Sequence, residues 1–194
     1  MPSNPERRAQ LADAGLRILA AGGARGLTHR AVDRAAGVPL GTASNYFGSR
    51  NSLLIALGQR VFERLAPDPE RVSALAHRQP DVSLFTDYMR YIVERAMADP
   101  EVMLALMELR LEATRRPELR GLLGDVLQRN YHANIAFSQE ADFTVGPGDI
   151  ALMQYAMDGL LLDMLTPSID ADHSTEDVVA TLTQRLLRST DING

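Results

Sequence analysis

The sequence predicts an all-α fold of about nine to ten helices. Apolar residues recur at helical spacing along nearly the whole chain; Leu11, Ala14, Ile18 and Leu19, for example, occupy positions i, i+3, i+7 and i+8. Cap residues, prolines and glycines stand where these periodic segments begin and end. No segment shows the two-residue alternation that is typical of a half-buried strand. We therefore expect a three-helix head followed by a C-terminal helical bundle.

Four helices are predicted before the break at Pro67 and Pro69. An N-cap or a proline begins each of them, and Gly37 supplies the tight turn between the second and the third. Their predicted bounds are about 5–22, 28–35, 39–46 and 49–65. Six further segments follow with the same periodicity. Their predicted bounds are about 69–78, 81–98, 101–115, 117–139, 149–166 and 175–189, the last with Ser174 and Asp177 at capping-box spacing.

Charge is divided unevenly along the chain, and all the cationic residues are arginines. Residues 1–65 hold nine Arg against four acids, whereas residues 66–194 hold eleven Arg against twenty-one acids. The net charge of −5 therefore combines a head of +5 with a body of −10. A basic head on an acidic body indicates a DNA-binding segment joined to a domain with another task.

Composition argues against several classes of protein. The chain has no cysteine, which removes disulfide frameworks, thiolate zinc sites and cysteine nucleophiles. We expect no secretory signal and no membrane partner, since no uncharged apolar stretch approaches the roughly 20 residues that span a bilayer. The four histidines are scattered, and neither a His-Glu-x-x-His motif nor a phosphate loop occurs. We therefore predict a cytoplasmic protein that is not an enzyme and that has no metal and no cofactor.

Residues 27–57 predict a helix-turn-helix motif, with two short helices joined by a glycine-containing turn and braced by a helix on each side. Small alanines allow the two short helices to cross closely. Apolar residues on both helices and on the brace are expected to fill the core of this head; they are Val32, Val38, Leu53 and Leu54.

The same stretch closely resembles the DNA-binding domain of the tetracycline-repressor (TetR) family of bacterial transcription regulators. Fifteen positions match in fixed register, and they are Leu27, Thr28, Arg30, Val32, Ala35, Ala36, Gly37, Val38, Gly41, Thr42, Tyr46, Phe47, Ser49, Leu53 and Leu54. A weaker similarity covers residues 111–120 and 158–160. The resemblance implies a homodimeric repressor that binds a palindromic double-stranded operator and is released by a small-molecule effector. The implied domains are a DNA-binding domain at 1–48, a connecting helix at 49–65 and a ligand-binding and dimerisation domain at 66–194.

By this resemblance residues 39–46 form the recognition helix, and its outward residues meet the major groove. These residues are Leu40, Gly41, Thr42, Ser44, Asn45 and Tyr46. Asparagine reads adenine with two hydrogen bonds, and hydroxyl groups contact several bases. Other residues are expected to contact phosphates or groove edges, and they are Thr28, His29, Arg30 and Arg50. The alternatives are that Asn45 bonds its own backbone at a helix end and that Tyr46 is a core aromatic.

The predicted effector site rests on Met103, Met107 and Arg110, which place one cation on an apolar helical stripe. Such a stripe suits an apolar ligand with an anionic or hydrogen-bonding group. Residues expected to line the same space are Phe85, Tyr88, Tyr131, Gln154 and Asp158. The alternative is that Arg110 pairs with a surface acid and that the methionines are ordinary core filling.

The segment 149–166 is apolar on more than one face, so it needs a second cover besides its own core. A partner subunit is the simplest cover, and a fully buried helix in a monomer is the alternative. The predicted dimer-interface residues are Met153, Met157, Leu160, Met164, Val179, Leu182 and Leu186.

Two other functions compete with the repressor hypothesis. One is a helical ligand-binding protein or enzyme whose basic end is incidental, and the other is an architectural DNA-binding protein without a ligand. A cavity between residues 81 and 164 would favour a ligand-responsive regulator over the architectural protein.

Overall fold

Ten α-helices and no strands make up the part of the chain that the structure, a computed structural model, describes. That part comprises residues 4–79, 81–140, 145–169, 172 and 174–190, without the side chains of 186–190. The helices are α1 Pro5–Gly26, α2 His29–Ala35, α3 Thr42–Tyr46, α4 Arg50–Arg64, α5 Pro69–Ala76, α6 Val82–Met97, α7 Pro100–Ala113, α8 Pro117–Glu140, α9 Pro147–Leu165 and α10 Thr175–Thr190. The predicted all-α fold is confirmed.

The helix starts follow the caps that the sequence predicts. Thr28 Oγ1 accepts a hydrogen bond from the Ala31 amide at 3.1 Å, and Ser49 Oγ accepts one from the Ser52 amide at 3.0 Å. These bonds satisfy amides that have no partner within the first turn of a helix. Local sequence therefore fixes where α2 and α4 begin.

Helix α3 is the exception, because it begins at Thr42 and not at the predicted Pro39. The residue before it, Gly41, has φ +94°, a left-handed conformation that interrupts regular α-helical geometry. The segment from Pro39 is instead a turn, in which the Thr42 amide donates to the Pro39 carbonyl at 3.1 Å. Gly37 has φ +66°, as the predicted tight turn requires.

The chain divides into two compact units. The first comprises Met1–Ala66 and Asp99–Val126, and the second comprises Pro67–Ala98 and Leu127–Gly194. Helix α7 packs against α1 and α4 and so belongs to the unit that contains the helix-turn-helix. The functional boundaries at residues 48 and 65 stay a prediction.

In the first unit, α1 packs against α2, α4 and α7 around one apolar core. Gly15 permits the close approach of α1 to α4, since a Cβ at this position would lie 2.7 Å from a Leu57 methyl carbon. The predicted head residues Val32, Leu53 and Leu54 are fully buried, and Val38 packs against this core. The motif therefore shares one packed apolar core with α1, α4 and α7.

In the second unit, α6 packs against α9 and α10. Its buried apolar residues include Phe85, Met89, Met153, Met157 and Val179. Among the described residues, no helix is both long enough and apolar enough to cross a membrane.

Candidate nucleic-acid interface and ligand cavity

A buried carboxylate holds the N-terminus of α3. Asp33 of α2 is 0% exposed; its Oδ2 accepts from the Gly41 amide at 2.7 Å, and its Oδ1 accepts from the Ala43 amide at 2.6 Å. A five-residue helix is not stable alone, so these two bonds and the burial of Ala43 fix its position on the head. Asp33 was not among the predicted site residues. It is the one acid of residues 27–57, and this was the only signal for it.

The outer face of α3 is open. Leu40, in the turn before α3, is 65% exposed. Ser44 and Asn45 of α3 are also exposed, whereas Ala43 and Phe47 face the core. Within the described part of the chain, the Asn45 side chain makes no hydrogen bond, so its predicted alternative partner, the backbone, does not engage it.

The remaining predicted groove residues are partly engaged within the head. The Thr42 hydroxyl donates to the Pro39 carbonyl at 2.6 Å, and the Ser44 hydroxyl donates to the Gly41 carbonyl at 2.8 Å. Both oxygens keep lone pairs that can accept a hydrogen bond from a base. Tyr46 is half-buried against the apolar core of the head, so its ring has the structural role that the alternative interpretation gave it.

Two arginines on α2 present free positive charge beside this face. Arg30 and Arg34 are four residues apart and exposed, and neither has an ion pair or side-chain hydrogen bond to any described residue. Thr28 is exposed at the N-cap of α2. His29 Nε2 donates a hydrogen bond to the Phe47 carbonyl at 2.5 Å. This bond links α2 to the end of α3.

Arg50, which was predicted to contact phosphate, is engaged inside the protein. Its guanidinium donates to the carbonyls of Ala24 and Leu27, at the junction between α1 and α2. Carbonyls at a helix C-terminus lack partners within the helix, and Arg50 supplies them from the first turn of α4. The side chain therefore braces the motif, a role that spacing along the sequence does not reveal.

Helix α7 also bonds to the junction between α1 and α2. The Ala24 amide donates to Glu108 Oε2 at 3.4 Å. Gly23 has φ +64° there, and a Cβ at this glycine would lie 3.2 Å from the Glu108 carboxylate. Helices α4 and α7 therefore both position the start of the helix-turn-helix.

An ion-pair network joins α1, α4 and the start of α7. Asp13 accepts two hydrogen bonds from Arg60, at 2.8 and 3.0 Å, and one from Arg64 at 3.2 Å. Arg64 also pairs with Asp99, the N-cap of α7. Although burial alone would raise it, the pKa of Asp13 is lowered because Arg60 and Arg64 bond to the charged carboxylate. These two arginines are therefore neutralised within the unit.

A small cavity lies within the second unit, among α6, α8 and α9. Its lining residues are Phe85, Tyr88, Met89, Ile92, Asn134, Phe137, Ile150, Met153, Gln154 and Met157. The rings of Tyr88 and Phe137 stack at 4.8 Å and 18°, and the Tyr88 hydroxyl donates to Asn134 Oδ1 at 3.4 Å. Burial raises the pKa of Tyr88, so its hydroxyl stays neutral and able to donate.

Three of the predicted effector-site residues line this cavity, namely Phe85, Tyr88 and Gln154. The predicted stripe of Met103, Met107 and Arg110 lies on α7, which packs in the first unit, and Arg110 has a partner there or elsewhere in the chain. Tyr131 donates its hydroxyl to the Pro147 carbonyl at 2.9 Å, and Asp158 is half-buried with a partner of its own. None of these five residues lines the cavity.

Helix α9 carries an exposed apolar stripe, which differs from the predicted one. Met153 and Met157 face the core of their own unit, whereas Leu152, Tyr155 and Leu162 are 55, 70 and 49% exposed. The other predicted interface residues are half-buried or buried, and they are Leu160, Met164, Leu182 and Val179. The Leu186 side chain lies outside the described residues. Because α9 is apolar all round, its sequence does not distinguish the inner stripe from the outer one.

Comparison with known proteins assigns the family. The model of the tetracyclin repressor-like C-terminal domain matches residues 80–189, which is more than half of the chain. The chain belongs to the TetR family of transcriptional regulators. The helix-turn-helix in its first unit agrees with that assignment.

Other members of the TetR family extend the likeness. The HTH-type transcriptional regulator BetI of Rhizobium meliloti (strain 1021) is 32% identical over 119 residues, which are 61% of this chain and 58% of BetI. The match therefore spans little more than half of that regulator. The multidrug binding protein EbrR, in complex with imidazole, is 28% identical, with 94% of this chain and 96% of EbrR covered and a TM-score of 0.68.

A third relative comes from Streptomyces coelicolor A3. The TetR-family protein SCO1917 is 26% identical, with 94% of this chain and 98% of SCO1917 covered and a TM-score of 0.71. Further EbrR structures contain proflavin, ethidium and malachite green.

In this chain, no three His, Asp or Glu residues of the described part converge as metal ligands.

Proposed function

We propose that this TetR-family protein is a ligand-responsive repressor, which binds a palindromic operator as a homodimer and is released by a small molecule. The observation that carries the proposal is the outer face of α3. Asp33 fixes this helix on the head, while Leu40, Ser44 and Asn45 remain exposed. The proposal assigns the protein no catalytic step, and it places the protein in the cytoplasm with its DNA.

The exposed groups suit contact with a DNA duplex. Asn45 has an unengaged amide, the group that binds the N6 and N7 atoms of adenine, and Leu40 offers apolar contact to a thymine methyl. Arg30 and Arg34 are free to bind phosphates, which position the protein without reading sequence. Specific and nonspecific contributions thus come from different helices.

A second copy of the chain is the proposed cover for α9. Leu152, Tyr155 and Leu162 are exposed on α9, and beside them an apolar groove runs between α9 and α10. Contiguous apolar surface of this kind marks an interaction site. Two recognition helices reading successive turns of one DNA face must lie about 34–36 Å apart, and a symmetric dimer meets that requirement with a palindromic site.

The cavity in the second unit is the proposed effector site. EbrR provides support, since that relative is a multidrug binding protein solved with several small aromatic molecules. Helix α6 carries Phe85, Tyr88, Met89 and Ile92 of the lining, and it ends at Met97.

A path from this site to the DNA-binding head follows from the chain itself. Two residues after Met97, Asp99 caps α7 and pairs with Arg64 of α4. A displacement of α6 therefore pulls on the residue that is bonded to α4. Helix α7 also bonds the start of the helix-turn-helix through Glu108. A typical coupling free energy of about 1–3 kcal/mol through these bonds would weaken DNA binding roughly 5- to 150-fold.

The direct experiment is a titration of DNA from the region upstream of the gene with the full-length protein at several salt concentrations. The proposal predicts at least one fragment that is bound selectively over unrelated DNA. Nonspecific binding alone at low salt, with equal affinity for all fragments, would overturn it. Asn45→Ala is expected to relax preference at one base pair in each half-site, whereas Arg34→Ala is expected to weaken binding to all sequences.

A further inference from the structure

A positive charge of α6, that of Arg95, acts on Tyr88 in the lining of the second unit's cavity. None of the ten lining residues is ionisable at neutral pH. Both acids of α6 are already paired with other arginines. Asp87 bonds to Arg78 at 2.6 Å and to Arg90 at 3.1 Å, and Glu94 pairs with Arg71.

No carboxylate of the described residues pairs with Arg95, whereas Arg90, the other arginine of α6, pairs with Asp87. Arg95 is half-buried, and its Nε is buried without a hydrogen-bond partner. Its guanidinium carbon lies 5.4 Å from the centroid of the Tyr91 ring, a cation–π contact that leaves its N–H groups available. A buried guanidinium nitrogen without an acceptor is costly, so a ligand that supplies an acceptor is favoured.

Helical spacing places Arg95 one turn beyond Ile92, on the face of α6 that lines the cavity. Tyr88, Ile92 and Arg95 are separated by four and three residues, so they share one face of α6, and the first two line the cavity. The charge of Arg95 also acts on the Tyr88 hydroxyl, where it opposes the rise in pKa that burial causes. The cation is therefore close enough to be felt inside the site.

The cavity must open to accept a ligand. It has a free volume of about 30 Å³, enough for only about two waters. An aromatic ligand therefore has to part the stacked rings of Tyr88 and Phe137 and replace one stacking partner with its own ring. Three methionines in the lining provide adaptable walls for this movement.

We propose that this site selects planar aromatic molecules that carry an acidic group, with the ring between Tyr88 and Phe137 and the anion on Arg95. This inference rests on the proposed function, because it names the ligand class of the same effector site. The site would disfavour aromatic cations, since Arg95 repels them and no lining carboxylate offsets that repulsion.

Three naphthalene probes that share one ring and carry substituents of different charge test the inference. They are 2-naphthoate, which is anionic, 2-naphthamide, which is neutral, and 2-naphthylmethylammonium, which is cationic. Affinity for the full-length protein is measured by isothermal titration calorimetry. We expect naphthoate to bind about tenfold or more tightly than naphthamide, the factor of a charge-assisted hydrogen bond, and the cation to bind most weakly.

Two arginines over the same ring provide a matched control. Arg71 lies 4.7 Å above Tyr91, but it is exposed and paired with Glu94. Arg95→Gln is expected to abolish the preference for naphthoate, Arg95→Lys to restore part of it, and Arg71→Gln to leave it unchanged. Thermal melting of each variant shows that it is folded.

The outcomes separate the inference from the proposed function. Equal binding of naphthoate and naphthamide, tighter binding of the cation, or an unchanged preference in Arg95→Gln would overturn the inference and leave the effector site in place. Failure of all three probes to bind would overturn both the inference and the effector site proposed here, while sequence-selective DNA binding, measured separately, would still stand.

Discussion

Replacing Asp33 with asparagine isolates the contribution of the carboxylate that holds α3. The substitution keeps the shape of the side chain but turns one acceptor oxygen into an amide that faces a backbone N–H, at Gly41 or Ala43. A hydrogen bond to a charged group contributes about 1.5–3 kcal/mol. Because one such bond is lost and the other weakened, we expect the free energy of unfolding to fall by about 2–4 kcal/mol.

The change in operator affinity separates the positioning role of Asp33 from the effect of its charge. Asp33→Asn raises the charge of the head by one unit, which alone would strengthen binding to DNA. If Asp33 positions α3, operator affinity falls despite that gain. Glu6→Gln is the matched control, since it makes the same charge change at an exposed position in the first turn of α1.

Urea unfolding followed by circular dichroism gives the stability, and fluorescence anisotropy of a labelled operator, selected from a random DNA pool, gives the affinity. An Asp33→Asn protein that is within about 0.5 kcal/mol of the wild type, the usual range for surface substitutions, would refute the reasoning. Operator affinity equal to that of Glu6→Gln would refute it as well.

The other predictions concern the remaining parts of the account. Arg30→Ala should weaken binding to all DNA and reduce the salt slope by about one ion per subunit, without changing the melting temperature. Arg50→Ala should instead lower the melting temperature, because the bonds of Arg50 are internal. The opposite pattern would reverse the roles of the two arginines. Tyr155→Glu should give a monomer in analytical ultracentrifugation, since burial of one large apolar side chain contributes about 1.5–3 kcal/mol per subunit, and a persisting dimer would exclude α9 as the interface. Asp13→Asn should destabilise the protein at neutral pH. The difference from the wild type should shrink as pH falls through the lowered pKa of Asp13, because a carboxylate with a depressed pKa stabilises only while it is ionised; a loss that is independent of pH in urea titrations would contradict this.

Local signals in the sequence predict most of the helices. Thr28 and Ser49 occupy their cap positions, and Gly37 takes the positive φ that the turn needs. These features depend on residues close in the chain, so sequence alone specifies them. The predicted start of α3 was wrong, because the observed start depends on Asp33, eight to ten residues away, and on the left-handed conformation of Gly41.

The role of a side chain depends on its tertiary contacts, which spacing along the sequence does not reveal. Arg30 and Arg50 have the same chemistry and both lie in the motif. The Arg30 side chain bonds to no described residue, whereas Arg50 bonds to two backbone carbonyls. The sequence also does not show which stripe of α9 faces inward, since this helix is apolar on more than one face. The predicted effector stripe on α7 failed to meet the cavity because α7 packs on α1 and α4.

The most direct test of the central claim, a dimer that reads DNA through two α3 helices, is the spacing of its half-sites. Operator affinity is compared between the selected duplex and the same duplex with five base pairs inserted at its centre, about half a helical turn. For such a dimer, we expect the insertion to lower operator affinity by about a hundredfold or more, towards the level of nonspecific DNA. The reason is that the half-sites then face opposite sides of the duplex. Equal affinity for the two duplexes would contradict the account.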